Sequence, residues 1–354
     1  MIELVHDIVL RYCSMAQVNL PHQTSTFLQG PGLSVPISTL NTLPNPVCLI
    51  GANGTLGSVI LRALVNANSF DVSVLQRSNS SSSTTFGPSV IRLVAGPDLA
   101  VDELTEVLKG QDAVIAAFPL GQGDQHLRLV EAAFNAGVKR FIPADFGSCD
   151  AGDAEPQKYL PLYRKKTAVR EKCEALAAQD GKAFSWTTLV CGHFFDHGLR
   201  DGLLHFNFDT RTAQILDGGA IRASTSTLRR IAEATVRILE RPVETRNRAL
   251  YVQSFNPMQL EIVAALEKAM GEKWHIQHVD SKPYLEDAQK RLSSDDKKAV
   301  LIAIEDIVFV LGALDADWTK RDGFAMELLG LQDENLEDVV NEVVTAYRAE
   351  TSSA

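Results

Sequence analysis

Several common sequence signals are missing from this chain of 354 residues. Its five cysteines are odd in number and never paired as Cys-x-x-Cys, which argues against a disulfide framework or a zinc motif. No apolar run reaches the length of a membrane span, and with a net charge of −10 the longest basic run is Arg164-Lys165-Lys166. We therefore expect a protein of a reducing compartment, in the cytoplasm, with neither a membrane nor a nucleic acid as partner.

The first 45 residues lack a targeting signal. They carry the acidic residues Glu3 and Asp7, which a transit peptide avoids, and they have neither the basic start nor the continuous apolar stretch of a secretory signal. We interpret 1–45 as an N-terminal extension whose role the pattern does not define. A short helix is expected over residues 2–15, followed by a loose connector.

The common Gly-x-Gly-x-x-Gly motif is absent, but a related glycine turn is present. An apolar run, Val47 to Ile50, leads directly into glycines at 51, 54 and 57, and an amphipathic stretch follows at 58–67. This pattern predicts a strand, a tight turn and the start of a helix. Such a turn lets the backbone approach a pyrophosphate and directs the first N–H groups of the helix towards it.

NAD-binding proteins carry an acidic residue about 20 residues beyond the glycines, where it binds the ribose 2′-hydroxyl. The second apolar run, 71–76, ends instead in Arg77, Ser78 and Asn79. A carboxylate would repel a 2′-phosphate, whereas a guanidinium can bind one through two parallel hydrogen bonds. Together with the glycine turn, Arg77 predicts NADPH rather than NADH. Without the glycines, the same arginine would be interpreted as a solvated residue at the end of a strand.

From residue 47 onwards, strand-like and helix-like stretches alternate. Strands are expected at 47–50, 71–75, 90–94, 112–117 and 139–143, with helices at 55–67, 100–109 and 124–136 between them. This alternation predicts an α/β fold, a Rossmann-type doubly wound parallel sheet with a smaller, helix-rich and partly interleaved substrate-binding region. We assign 46–192 and about 225–253 to the nucleotide-binding domain, and 193–224 and 254–354 to the substrate-binding region.

The Tyr-x-x-x-Lys motif of ordinary short-chain reductases is also missing. A long helical pattern at 158–179 instead carries adjacent lysines, and on a helix Lys166 shares a face with Val169 and Arg170 while Lys165 points elsewhere. A lysine buried beside a nicotinamide can exchange a proton near neutral pH. The basic triplet by itself also fits a solvated helix face. Further along, a hairpin is expected near 213–222, turning at Asp217-Gly-Gly219.

Four segments, taken together, resemble the NmrA-like/isoflavone-reductase-like family of atypical short-chain dehydrogenases. In order and spacing, they are Gly51–Gly57, Arg77, Gly137–Gly147 and Lys166–Arg170. The resemblance covers roughly residues 46–350. The segment 185–199, with Ser-Trp-Thr-Thr at its start and Gly-His-Phe-Phe-Asp-His-Gly near its end, is similar to the fungal-type branch, which is often linked to secondary metabolism.

The resemblance implies a cofactor site built from the glycine turn and the ends of the strands. Its expected members are Gly51, Asn53, Gly54, Thr55, Leu56, Gly57, Arg77, Ala117, Phe118, Phe141 and Lys166. The turn would hold the pyrophosphate and Arg77 the 2′-phosphate, while Ala117 and Phe118 would line the ribose and Phe141 the nicotinamide end. Lys166 matches the catalytic lysine of the family.

The chain departs from the family where the reductases have Pro-Ser-Glu-Phe-Gly, since it reads Pro143-Ala-Asp-Phe-Gly147. After Gly192 it carries an aromatic-rich stretch in which His193, Phe194 and Phe195 are expected to form a wall against an aromatic substrate. His126, near the end of the fourth strand, is either a further contact to substrate or phosphate or a histidine at a helix start with no role.

The same stretch contains possible metal ligands, because His193, Asp196, His197 and His205 lie close together in the sequence. Their spacing fits no familiar zinc signature, and no cysteine joins them. We therefore predict no metal.

These observations predict an NADPH-dependent reductase with Lys166 as proton donor. Its partner would be a small aromatic or polyketide-like molecule, and a homodimer is left open. Two other functions fit the same family: a sensor that binds NADP(H) without turnover, and a lyase or isomerase in which Lys166 only transfers protons.

Overall fold

A parallel sheet forms the centre of the protein in a computed structural model. The structure describes residues 45–80, 86–120, 124–181, 183–314 and 316–352. Most of the N-terminal extension, including its expected helix, lies outside the described residues. In chain order the strands are β1 (Pro46–Ile50), β2 (Asp71–Arg77), β3 (Ile91–Ala95), β4 (Ala113–Ala116), β5 (Arg140–Ile142), β6 (Ser185–Val190), β7 (His193–Phe194), β8 (Phe206–Asn207), β9 (Thr212–Leu216), β10 (Thr225–Ser226), β11 (Arg248–Tyr251) and β12 (His275–Val279).

Helices connect these strands and follow them to the C-terminus. They are α1 (Thr55–Ala67), α2 (Val101–Leu108), α3 (Gln125–Asn135), α4 (Ala154–Tyr159), α5 (Pro161–Ala177), α6 (Phe195–Arg200), α7 (Leu228–Glu240), α8 (Gln259–Met270), α9 (Ser281–Arg291), α10 (Lys297–Leu314), α11 (Met326–Leu329) and α12 (Leu336–Thr351). Short 3₁₀ turns lie at Asp217–Gly219 and Trp318–Lys320.

The central sheet has seven strands in the order β11-β6-β5-β4-β1-β2-β3, and every neighbouring pair is parallel. The chain runs outward from β1 in one direction through β2 and β3, and then in the other direction through β4, β5 and β6. This reversal leaves a crevice at the carboxyl ends of β1 and β4, where open α/β sheets bind ligands. The predicted Rossmann-type α/β fold is confirmed.

Both faces of the sheet are covered, which explains why its strands read as continuous apolar runs. Val47 and Leu49 face one side and pack with residues of α1 and α7, such as Ile60 and Ile231. Cys48 and its neighbours on the other face pack with α2, α3 and α5. Apart from the edge strand β3, where Ile91 and Val94 are exposed, the strands of the sheet are therefore buried on both sides.

A smaller sheet, β12-β9-β8, lies among helices in the second half of the chain. β9 pairs antiparallel with β8 and parallel with β12. The expected hairpin turning at Asp217-Gly-Gly219 is therefore wrong, since this stretch is a 3₁₀ turn that follows β9. The hairpin turn lies earlier, between β8 and β9, because the strand preceding β9 supplies its partner.

The long helix expected at 158–179 is interrupted. α4 ends at Tyr159, Leu160 is extended with φ −131° and ψ 130°, and α5 begins at Pro161. Proline disfavours a helical conformation in the residue before it but fits the first position of a helix, so the break falls at this point. The restart leaves Lys166 in the second turn of α5.

The central sheet takes its strands from 46–142, 185–190 and 248–251, so the chain leaves it after β6 and returns for β11. The partly interleaved division into two domains, with its proposed boundaries, stays a prediction.

Candidate active site

The glycine turn packs tightly against the end of β4. Gly51 follows β1 with φ +95°, a conformation that favours glycine, and a Cβ atom on it would lie 2.3 Å from the carbonyl oxygen of Ala117. A Cβ atom on Gly57 would lie 2.0 Å from the carbonyl oxygen of Gly51. The absence of a side chain at Gly51 therefore lets the turn approach the end of β4, and its absence at Gly57 lets the first turn of α1 approach the glycine turn.

The N-terminus of α1 has the properties of an anion site. Its N-cap residue, Gly54, has no side chain to cap the first N–H groups, and its first turn carries no acidic residue. The Thr55 hydroxyl is buried and finds no hydrogen-bond partner among the described residues. Free N–H groups, a spare hydroxyl and the open glycine surface fit a pyrophosphate, as the sequence predicts.

Arg77 ends β2 at the same edge of the sheet. β2 pairs with β1 so that Leu75 lies beside Ile50, which places Arg77 just beyond the strand that leads into the glycine turn. Its side chain is exposed. The position fits the predicted contact with a 2′-phosphate, and the contact itself stays a prediction.

Ala117 and Phe118 extend β4 towards the glycine turn. The Ala117 N–H donates a 2.8 Å hydrogen bond to the carbonyl oxygen of Ile50, and both residues line a cavity beside the turn. His126 stacks behind Phe118 and is not among the lining residues. Its Nε2 lies 3.1 Å from the carbonyl oxygen of Pro119, so this nitrogen carries the proton. Burial lowers the pKa of His126 to about 4, which keeps the ring neutral.

The cavity lies between the carboxyl ends of β1 and β4, helix α5, β7 and helix α10. The empty space in and in front of it, open solvent included, is about 870 Å³. Most of the lining is apolar or aromatic, and Asp145 and Lys166 are its charged members. The full lining is Leu56, Ala117, Phe118, Pro119, Leu120, Ala144, Asp145, Phe146, Ser148, Leu162, Tyr163, Lys166, Gly192, His193, Phe194, Ile304 and Val308.

Lys166 lies on the wall of this cavity, as the helical spacing predicts, whereas Lys165 is not among the lining residues. The Lys166 side chain is 12% exposed. Its ammonium donates to the carbonyl oxygen of Asp145 and lies 3.7 Å from the Oδ1 atom of the same residue. Lys166 is therefore held at the cavity by Asp145.

Behind Lys166 lies a buried charge network that sequence reasoning missed. Arg170 donates from Nη2 to Asp145 Oδ2 at 2.7 Å and to Asp150 Oδ1 at 2.8 Å. Burial opposes the charge of Arg170, but the two carboxylates together raise its pKa above the ordinary value. Tyr251 donates its hydroxyl to the other oxygen of Asp150. Burial alone would raise the pKa of Asp150, whereas Arg170 and Tyr251 hold it below its ordinary value.

Two expected site residues lie elsewhere. Phe141 is fully buried in the core under the sheet, where it packs near Phe184, and it does not line the cavity. Its place on the strand directs its ring into that core, and the expected contact with the nicotinamide end stays a prediction from the sequence. Phe146, five residues later, lines the cavity instead. Phe195 begins α6 and packs edge-on against Phe255, with 4.7 Å between ring centroids. It lines a neighbouring cavity that shares His193 with the one beside the glycine turn.

His193 and Phe194 do line the cavity beside the glycine turn. His193 Nε2 lies 3.2 Å from the carbonyl oxygen of Phe309 in α10, and burial lowers the pKa of this histidine to about 4. Asp196 accepts the backbone N–H of Leu228 instead of facing His193. His197 lies beside Asp201. Within the part of the chain that the structure describes, no three His, Cys, Asp or Glu side chains are grouped as a metal site.

Other lining residues were not anticipated. Tyr163 precedes Lys166 by three positions and shares its helix face, so helical spacing could have identified it. Ile304 and Val308 come from α10, far along the chain, and no local pattern links them to the glycine turn. They contribute apolar side chains to the wall of the cavity.

The sequence model of the NmrA-like family matches residues 45–293. The chain belongs to the NmrA-like family. Oxidoreductase aprR from Aspergillus flavus is 31% identical to it over 300 residues, which cover 84% of this chain and 98% of that protein. The family resemblance predicted from the four segments is confirmed.

Solved structures similar to this NmrA-like protein include an isoflavone reductase, with a TM-score of 0.66 and 22% identity over 84% of this chain and 99% of the other. A structure titled AtPrR2 with NADP⁺ and (+)pinoresinol has the same TM-score, with 20% identity over 84% and 98% of the two chains. At these identities, the likeness supports the fold. Among the described residues, no helix has both the length and the apolar character needed to cross a membrane.

Proposed function

We propose that this NmrA-like protein is an NADPH-dependent reductase of a neutral, aromatic or polyketide-type small molecule, with Lys166 as proton donor. The observation that carries the proposal is the position of one ammonium group in the wall of an apolar cavity, beside a glycine turn that fits a pyrophosphate. The 31% identical relative is named an oxidoreductase, and a structural neighbour was solved with NADP⁺ and pinoresinol. Both support the same reaction class.

The cofactor would lie along the carboxyl edge of the sheet. The N–H groups at Thr55, Leu56 and Gly57 would bind the pyrophosphate, and Arg77 would bind the 2′-phosphate. When bound, NADPH supplies a hydride. Ala117 and the ring of Phe118 would border the ribose, and Phe118 is held in place by the stacked His126.

Lys166 would donate a proton to the oxygen that gains charge during reduction of a carbonyl, an enone or a quinone-methide-type centre. A positioned ammonium can both stabilise that charge and transfer the proton. The apolar wall of Phe146, Phe194, Ile304 and Val308 would exclude water from the reacting atoms and select an uncharged substrate. A cytoplasmic location and a homodimer remain predictions.

The test compares Lys166→Ala with Lys165→Ala, its neighbour outside the cavity. NADPH binding is measured by the fluorescence of the reduced nicotinamide, and turnover by loss of NADPH absorbance with a panel of aromatic ketones and enones. We expect Lys166→Ala to lose at least about 100-fold in turnover, the scale of general acid catalysis, while binding stays within a few-fold. Lys165→Ala should behave as the wild type.

Three other outcomes would contradict the proposal. Binding of NADPH without oxidation of any aromatic substrate would favour the sensor. Product formed without NADPH oxidation would favour a lyase or isomerase. Loss of NADPH binding together with activity in Lys166→Ala would show that the lysine holds the cofactor instead of donating a proton.

A further inference from the structure

Two polar groups of Asp145 face the ammonium of Lys166. The backbone carbonyl of Asp145 accepts a hydrogen bond from Lys166 Nζ, and its Oδ1 atom lies 3.7 Å from the same nitrogen. The other carboxylate oxygen, Oδ2, accepts from Arg170 at 2.7 Å and from the Thr188 hydroxyl at 2.8 Å. The carboxylate is 3% exposed, and within the described residues Oδ1 accepts no hydrogen bond. It therefore interacts with Lys166 through charge.

The remaining titratable groups around Lys166 carry no negative charge near neutral pH. Burial lowers the pKa of His126 to about 4, so its ring is neutral. Burial raises the pKa of the Cys149 thiol to about 12, and it raises the pKa of Cys191 further still, so both stay protonated. Tyr163, one turn earlier on the helix, has a phenol that is neutral at this pH. Asp145 is the carboxylate that opposes the ammonium in the described part of the chain.

We propose that Asp145 is a positioning residue for Lys166: its carbonyl determines where the ammonium lies, and its carboxylate is the negative charge that favours the charged form of the amine. The inference rests on the proposed function, in which a protonated Lys166 is the donor. Arg170 disfavours the charged form of Lys166, since it is a second cation and is bound to the same carboxylate. The Asp145–Arg170 pair therefore sets how readily Lys166 gives up its proton.

The arrangement predicts shifts of opposite sign for two substitutions. In Asp145→Asn the amide oxygen can still accept from Arg170 and Thr188, but the negative charge facing Lys166 is gone. The amine should then lose its proton at lower pH. In Arg170→Gln the carboxylate faces Lys166 without its competitor, and the amine should lose its proton at higher pH.

The experiment measures acetylation of Lys166 by acetic acid N-hydroxysuccinimide ester on the intact full-length protein between pH 6 and 11. Only the unprotonated amine reacts, and mass spectrometry of proteolytic fragments separates Lys166 from Lys165, the internal reference. We expect the midpoint of the Lys166 profile to move down by about one pH unit in Asp145→Asn, the low end of shifts from an adjacent charge. Below the midpoint this corresponds to roughly tenfold faster labelling.

A change in access to Lys166 has a different signature. A loosened structure would raise labelling at every pH, whereas a change in protonation leaves the rates of wild type and variant equal at high pH. Glu131→Gln is the matched control. Glu131 in α3 forms a 2.7 Å ion pair with Lys172, which lies on the same helix as Lys166, and neither residue of this pair lines the cavity. It should leave the Lys166 profile unchanged.

An unchanged midpoint in a folded Asp145→Asn protein would overturn the proposal. If that variant does not fold, Arg170→Gln is the deciding test. An unchanged or lower midpoint of the Lys166 labelling profile in Arg170→Gln would also overturn the proposal. Asp145→Glu, which restores the charge, should recover most of the wild-type midpoint.

These measurements need no substrate and no cofactor. If the midpoint moves as expected but Lys166→Ala keeps its turnover, the ion pair is real and the proposed proton donor is wrong. If the midpoint stays still while Lys166→Ala is inactive, the donor stands and Asp145 does not control its protonation.

Discussion

The imidazole of His126 stacks on the ring of Phe118, with 4.0 Å between ring centroids and 19° between their planes. His126 also donates to the carbonyl oxygen of Pro119, so it supports two consecutive residues of the cavity wall from behind. From the sequence, His126 is either a contact to substrate or phosphate or a histidine at a helix start with no role. Its geometry is that of a buried support for Phe118 and Pro119 in the cavity wall.

The first prediction concerns acid stability. The pKa of His126 in the folded protein is lowered to about 4, whereas the unfolded chain titrates near 6.5, so only the unfolded state gains a proton between these values. The stability contributed by the neutral ring is complete above pH 6.5 and is lost as the pH falls towards 4. At pH 4.5 the loss should be about 2–3 kcal/mol.

Urea unfolding at pH 7 and pH 4.5 measures this loss. The His126→Gln variant should lose less stability than the wild type on acidification, because glutamine does not titrate. An equal loss of stability in both proteins would mean that groups other than His126 cause the loss between pH 7 and pH 4.5. His193, whose pKa burial also lowers to about 4, should behave in the same way when changed to glutamine.

The second prediction concerns the glycine turn. A Cβ atom at Gly57 would lie 2.0 Å from the carbonyl oxygen of Gly51. This oxygen belongs to the backbone, so the clash cannot be relieved by rotating a side chain. Gly57→Ala should therefore displace the turn, weaken NADPH binding by at least about tenfold and cost about 1–3 kcal/mol of stability. Gly87→Ala is the control, since among the described residues, its two chain neighbours aside, no atom lies within 4 Å of its added carbon. Isothermal titration and thermal melting measure both effects.

The third prediction concerns cofactor choice. Arg77→Glu replaces a guanidinium at the end of β2 with a carboxylate that can accept a ribose hydroxyl. The ratio of NADPH to NADH affinity should fall by about 10- to 100-fold, the value of one charge-assisted contact. Arg62→Glu makes the same charge change on an exposed residue of α1 and should leave the ratio as it is. An unaltered ratio in Arg77→Glu would place the 2′-phosphate contact elsewhere.

The fourth prediction separates two phenylalanines. Phe141 is fully buried away from the cavity, so Phe141→Leu should lower stability by about 1–2 kcal/mol and leave KM values unchanged. Phe146 lines the cavity, and Phe146→Leu should change KM for the substrate or the cofactor more than it changes stability. Denaturation curves and steady-state kinetics on both variants test the distinction. A KM change in Phe141→Leu would restore the contact expected from the sequence.

Local patterns were enough to predict most of the central sheet. The expected strand at 47–50 and helix at 55–67 correspond to β1 and α1, because a buried apolar run followed by glycines and a 3.6-residue periodicity are properties of the chain itself. The two wrong predictions also have local reasons. Pro161 divides a helical pattern that otherwise continues, and Asp217-Gly-Gly219 has turn chemistry that serves a 3₁₀ turn as well as a hairpin.

By itself, the sequence determined the family, the α/β architecture and the segments from which the site is built, since glycine spacing and apolar periodicity do not depend on distant residues. Tertiary packing decided which side chains meet. Lys166 gains Asp145 as its partner, and Ile304 approaches the cavity from α10, only when helices pack on the sheet. Phe141 and Phe195 are the same residue type as Phe146 and Phe194, so the sequence alone cannot tell which of the four line the cavity. Which of these rings faces the cavity depends on side-chain directions that the assembled core alone defines.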